Sequence, residues 1–120
     1  MLSQIAASTL GAGLLSLGIR EGVAPRSGAR GYGIPVAGDR EPTPYLEVKA
    51  NRDIALGAIV ILVAWTTSPV VVASTLGIGT LCPAWDAVLV RRHGRPQDTI
   101  VHISTAAYMV LIAALALGGR

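Results

Sequence analysis

Residues 45–65 read YLEVKANRDIALGAIVILVAW, and the way charge is distributed along them restricts the fold more than any other feature. Glu47, Lys49, Asn51, Arg52 and Asp53 crowd the first third, and nothing after Asp53 is charged. A helix over this stretch begins in a polar setting and ends in a greasy one. At about 1.5 Å per residue its 21 residues reach roughly 30 Å, the thickness of one bilayer core.

Three further stretches have the same apolar character. Residues 2–19 carry no charge, residues 69–90 are uncharged apart from Asp86, and residues 98–117 are uncharged between Asp98 and the C-terminal glycines. For residues 2–19 the rival reading is a signal peptide. No basic segment precedes the run and no clear small-x-small cleavage site follows it, which favours an anchor. Ser8, Ala12 and Ser16 recur every four residues and form a small-residue face for a neighbouring helix. Pro69 suits the first turn of the third helix, and Pro83, which has no amide hydrogen to offer the Gly79 carbonyl, predicts a kink. Asp98 is the expected N-cap of the last helix, and Gly118-Gly119 its stop. Residues 20–44 are rich in Gly, Pro and Arg and predict a polar connection without a long helix. Within them Tyr32-Gly33-Ile34-Pro35 is more apolar and favours an extended or turned segment at the membrane face or between helix ends. Thr43 is a candidate cap for the second helix.

The expected fold is therefore all-α: one domain over residues 1–120, a four-transmembrane-helix bundle with spans 2–19, 45–67, 69–90 and 98–117. Composition agrees, with 52 % hydrophobic and only 14 % charged residues, against about 25 % charged in an average soluble domain. Small residues carry much of this apolar weight, and there is no Phe. Four spans put both longer loops on one side. Nine of the ten basic residues lie in those loops or at the adjoining helix ends, and Arg120 alone lies opposite. By the positive-inside rule the loops face the cytoplasm and both termini face away. No basic run is interleaved with exposed aromatics, which argues against nucleic-acid binding. A single cysteine, Cys82, excludes an internal disulfide and a cysteine-based zinc site within one chain.

A charge near a helix centre costs about 2.5–3.5 kcal/mol on insertion scales, so each one in a span needs a partner or a wet cavity. On the second helix Tyr45, Lys49, Arg52 and Asp53 share an arc of about 100°, while Glu47 and Asn51 point elsewhere. On the third, Thr75, Gly79, Cys82 and Asp86 share one face. Asp86 lies five residues before the basic turn at Arg91, and His102 four after Asp98, so Asp53, Asp86 and His102 reach similar depths from three helices.

Two readings follow. Arg52 with Asp86 or Asp53 could form a buried ion pair that fixes helix register, with His102 hydrogen-bonded to it. Alternatively the three groups form a pocket in which a carboxylic acid and an imidazole act as acid and base. Metal binding by Asp53, Asp86 and His102 lacks a diagnostic ligand spacing, so no metal and no cofactor is expected. Cys82 reads as a packing residue, and Trp65 and Trp85 as interface markers. Tyr108 lines a cavity or packs in the core, and Arg91, Arg92 and Arg95 are placed to meet lipid phosphates.

Tyr32-Gly33-Ile34-Pro35, then Tyr45 with Lys49-x-x-Arg52-Asp53-x-x-x-Gly57, Pro83-x-x-Asp86, His93-Gly94 and His102, resemble a domain-of-unknown-function family of small four-helix integral membrane proteins. That family is fungal and bacterial and broadly like the DoxX group in architecture. The match spans nearly the whole chain. Ala50 stands where the family prefers Gly, and Ile103 follows His102 where a small residue is usual. The resemblance implies a component of a fungal natural-product pathway, in which small membrane proteins open epoxides, cyclise or isomerise intermediates.

On that reading Asp53 or Asp86 donates a proton, His102 is the base or orients water, Arg52 is the electrostatic partner, and Tyr45, Lys49 and Tyr108 contact an apolar intermediate. The endoplasmic reticulum is the expected location of a fungal member. A second reading makes the chain a non-catalytic accessory subunit of a larger membrane enzyme, and a third, weaker one a minimal transporter that must oligomerise to build a path.

Overall fold

The computed structural model describes residues 1–38 and 44–119, and these are all-α. Helix α1 runs Leu2–Val23, α2 Pro25–Tyr32, α3 Pro44–Thr66, α4 Pro69–Gly79, α5 Leu81–His93 and α6 Thr99–Gly118, with a single 3-10 turn at Pro96–Asp98 before α6. Residues 39–43, including the candidate cap Thr43, lie outside the described residues.

Helix boundaries follow local chemistry. The expected third helix is divided at Thr80, one turn before Pro83, so that Pro83 sits in the first turn of α5, where a missing N–H is harmless. Asp98 stands at the N-cap of α6, but its carboxylate accepts from Arg95 Nε at 2.6 Å and makes no capping bond. The polar connection holds an unforeseen helix: α1 continues four residues past Ile19, and after Ala24 the chain turns into α2, with Pro25 in its first turn.

α1 and α3 lie side by side and antiparallel. Gly11 meets Gly57 and Gly18 meets Ala50, while Trp65 Nε1 donates to Ser8 Oγ at 2.8 Å. The small-residue face that packs is therefore Ala7, Gly11 and Gly18. Ala12 and Ser16, assigned to that face from their spacing, are exposed. α4 and α5 pack on α6 as the second pair, with α6 also touching α1. A core of Ala7, Leu10, Val60, Ala64, Val72, Leu76, Met109, Ile112 and Ala116 joins the pairs in the half that holds the termini.

The opposite half holds the charges and is covered by α2, which buries Gly28, Ala29 and Tyr32 and leaves Arg26 and Arg30 outside. Gly33 ends α2 in the left-handed conformation at φ 102°, which favours glycine. Its carbonyl accepts from the Arg95 amide at 3.0 Å and lies against Gly94, where any Cβ would collide with it. The segment at Tyr32 thus tucks against the turn between α5 and α6. Arg95, exposed like Arg91 and Arg92, donates to Asp98 and to the Arg30 carbonyl at 3.1 Å.

The outer surface is apolar. Large side chains such as Ile19, Leu62, Trp65, Ile78, Leu81, Trp85 and Ile100 are more than half exposed, an arrangement soluble monomers avoid. Leu2–Val23, Pro69–His93 and Pro96–Gly118 are long and apolar enough to cross a bilayer, and only 17–28 % of their apolar windows is buried within the protein. Lipid therefore solvates this face, and the chain is a membrane protein. The expected count of four spans is not reached by that measure, because α3 carries Glu47, Lys49, Arg52 and Asp53 in its first turns.

Candidate functional site

Five helices send polar side chains to one place. Lys49 of α3 is the centre: its Nζ lies 2.6 Å from Glu21 Oε1 of α1 and 2.6 Å from Asp53 Oδ2, one turn along its own helix. It also sits 4.9 Å from the centroid of the Tyr32 ring, so each ammonium proton has an acceptor. Arg52, on the adjacent face of α3, donates from Nε to Asp53 Oδ1 at 3.2 Å and from Nη2 to Asp86 Oδ2 of α5 at 2.9 Å. Arg52 is thereby the tie between the two helix pairs at this end. Tyr32 Oη of α2 donates to Asp86 Oδ1 at 3.1 Å. His102 of α6 lies edge-on to the Tyr32 ring at 4.9 Å, its Nε2 2.8 Å from the Tyr32 carbonyl.

Glu21, Lys49, Asp53, Asp86 and His102 are all buried. A carbonyl only accepts, so His102 Nε2 must carry a hydrogen, and in the neutral ring the lone pair is then on Nδ1. Burial pushes the Tyr32 phenol above its ordinary range, the Asp86 carboxylate adds to this, and the neighbouring Tyr45 hydroxyl contributes further. The sign is that of a raised group: the neutral phenol is favoured, and its contribution to stability fades as pH climbs past about 10. Tyr32→Phe should therefore leave unchanged the tyrosinate absorbance that develops up to about pH 11. A drop by the share of one tyrosine in three would show the phenol to be freely titrating.

These groups line one end of a cavity of about 120 Å³ between the helix pairs. Its other walls are largely aliphatic: Leu14 and Leu17 from α1, Leu56, Ile59 and Val60 from α3, and Met109 from α6. Thr75, Gly79, Cys82 and Asp86, expected on one face of the third helix, all line it. Leu17, Ile59 and Val101 line the cavity and are also 46 %, 46 % and 52 % exposed, so it opens sideways to the surroundings of the helices.

The residues singled out in sequence fall into two groups. Asp53, Asp86, His102, Lys49 and Arg52 share this cavity. Tyr45 stands half exposed outside its walls, and Tyr108 packs against the apolar core with its hydroxyl 3.3 Å from the Ala6 carbonyl. Both ion pairings foreseen for Arg52 occur together. Among the described residues no group of three His, Cys, Asp or Glu side chains is arranged to hold a metal.

Sequence reasoning missed Tyr32 as a side chain of the site, and Glu21 altogether. Glu21 follows Arg20 immediately after an uncharged run and reads as the start of a loop. The signal was on the other helix, since a lysine facing inward needs more acceptors than Asp53 supplies. Glu21 also holds an unexplained atom: Oε2 is buried without a hydrogen-bond partner, which costs about 1–3 kcal/mol or more for a charged group.

No curated protein and no solved structure matches the chain. The family model described as Domain of unknown function (DUF4267) matches residues 11–116, which takes in every side chain of the cavity, and the chain belongs to that family.

Proposed function

We propose that this is a small integral membrane protein of a biosynthetic pathway, one that holds an apolar intermediate in the cavity and assists acid/base chemistry such as epoxide opening, cyclisation or isomerisation. The observation that carries the reading is the make-up of the cavity: largely aliphatic walls, some of whose residues are half exposed, with the charged cluster and His102 at one end. His102 is the proton-handling group. With Nε2 engaged by the Tyr32 carbonyl, Nδ1 takes a proton from the substrate or from an attacking water, and the imidazolium returns it at a second position, so nothing else is consumed. Asp53, Asp86 and Arg52 supply a fixed field at the reacting end, and Lys49 holds that field in place.

A four-span arrangement fits this role. α3 runs antiparallel along α1, and its charged foot lies at the end that carries the basic loops. Trp65 and Trp85 are exposed toward opposite ends, as residues of the two interfacial belts are. We place the basic loops in the cytoplasm and both termini on the other side, in the endoplasmic reticulum of a fungal cell.

The test compares metabolites of a producing host that carries the wild-type protein, no protein, or His102→Gln, which keeps a donor for the Tyr32 carbonyl but has no base. Product should fall by about 100-fold or more in the variant, at membrane levels near wild type. The second reading is a non-catalytic accessory subunit of a larger membrane enzyme, or of a homo-oligomer. It is favoured by one observation: both oxygens of Asp53 and of Asp86 already have donors, as a register lock requires. On that reading the product persists in His102→Gln and disappears with the partner.

A further inference from the structure

The cluster holds six carboxylate oxygens, from Glu21, Asp53 and Asp86, and five of them accept a hydrogen bond from Lys49, Arg52 or Tyr32. The sixth, Glu21 Oε2, accepts none, although Glu21 is only 4 % exposed and lines the cavity. Lys49 cannot supply the missing donor, because its three protons face Glu21 Oε1, Asp53 and the Tyr32 ring. Arg20 borders the cavity but donates to the Ser27 hydroxyl at 3.0 Å, on the exposed side. Formal charge leads to the same atom: three carboxylates against the cations Lys49 and Arg52 leave one negative charge over, in surroundings where an unmatched charge is expensive.

We infer that the cavity's ligand is a lipophilic amine, with its ammonium on Glu21 Oε2 and its hydrocarbon along Leu17, Leu56 and Ile59. This rests on the reading of the cavity as a binding site for an apolar molecule, and it specifies that molecule's polar group. The position is suitable. Glu21 lies two residues before the end of α1, just past its uncharged run, and Leu17 and Ile59, which line the cavity, are half exposed on the apolar outer surface from which such a molecule would enter. The size is suitable too. A volume of about 120 Å³ compares with roughly 150 Å³ for an engineered cavity that binds benzene, so it admits an ammonium and part of a ring, and the rest of the hydrocarbon extends out past Leu17 and Ile59.

The probes are cyclohexylamine, cyclohexanol, cyclohexanecarboxylate and methylcyclohexane, titrated by ligand-observed NMR against the detergent-solubilised full-length protein and its Glu21→Gln variant. Cyclohexylamine should bind at least about tenfold tighter than the alcohol or the carboxylate, and Glu21→Gln should abolish that advantage while binding methylcyclohexane as the wild type does. N,N,N-trimethylcyclohexylammonium keeps the charge but has no N–H to donate, so in the wild-type protein it should keep only the coulombic part of the advantage and bind more weakly than cyclohexylamine, which keeps the test available if the variant fails to fold; affinity equal to that of cyclohexylamine overturns the hydrogen bond to Glu21 Oε2. Equal affinity for amine and alcohol, or a preference that survives Glu21→Gln, overturns the amine assignment alone when methylcyclohexane still binds. If no probe binds, methylcyclohexane included, the cavity is not a ligand site and both readings fall.

Discussion

Lys49→Met should lower the unfolding free energy of the detergent-solubilised protein by about 3–5 kcal/mol, the loss expected when one partner of a buried ion pair is removed. Lys49 is 7 % exposed and lies 2.6 Å from two carboxylates on different helices. Without it Glu21 and Asp53 face one another across a gap that holds no positive charge, and only Asp53 keeps a cationic partner, Arg52. The loss is thus the exposure of two charges to each other in low dielectric, more than the disappearance of two hydrogen bonds. A triple variant, Glu21→Gln with Lys49→Met and Asp53→Asn, should recover much of the loss, because it removes the repulsion with the attraction. Lys49→Arg should not rescue, since a planar guanidinium cannot direct donors to Glu21, to Asp53 and to the face of the Tyr32 ring at once. A denaturation midpoint for Lys49→Met equal to that of the wild type would show that the cluster contributes nothing to the fold.

Gly57→Leu should destabilise by about 1–3 kcal/mol or more and should separate α1 from α3. A Cβ at residue 57 would stand 2.6 Å from the Gly11 carbonyl oxygen and 2.9 Å from the Leu15 amide nitrogen. Both obstacles are backbone of α1, so no rotamer change relieves the collision and a helix has to move. The same movement draws Glu21 away from Lys49, so the damage reaches the polar end, and Gly57→Leu combined with Lys49→Met should cost less than the sum of the two. Gly13→Leu is the control. A Cβ there meets nothing within 4 Å, and the leucine should be tolerated on the lipid face. Thermal midpoints of the wild type and the four variants check the set, and equal midpoints for Gly57→Leu and Gly13→Leu would remove the close-packed seam from the account.

Much of this arrangement could be read from residues alone, for an identifiable reason. A helix has a fixed rise and a fixed angular step, so the depths of Asp53, Asp86 and His102 and the shared face of Thr75, Gly79, Cys82 and Asp86 follow from counting. The division near Pro83 follows from a missing N–H. What counting does not give is rotation of one helix about its axis relative to another. Ser8, Ala12 and Ser16 are as well spaced as Ala7, Gly11 and Gly18, and only the partner helix selects between them; Gly57, one glycine opposite another, was the available clue. α2 was hidden for a different reason. PRSGARGY is short, polar and interrupted by two glycines, so although Ala29 and Tyr32 share one face it is helical only because they find burial over the charged cluster, which is a tertiary gain. The lateral opening was equally hidden, because it depends on where two helix pairs fail to meet.

The contact between Gly33 and Gly94 has a mechanical consequence. With the Arg95 amide on the Gly33 carbonyl and the Arg95 guanidinium on the Arg30 carbonyl, two stretches of chain more than sixty positions apart are bolted into one plate. Tyr32 hangs from that plate, and through its carbonyl so does the imidazole of His102. Anything that grips the arginine-bearing rim from outside therefore pulls on the ring that would shuttle protons within.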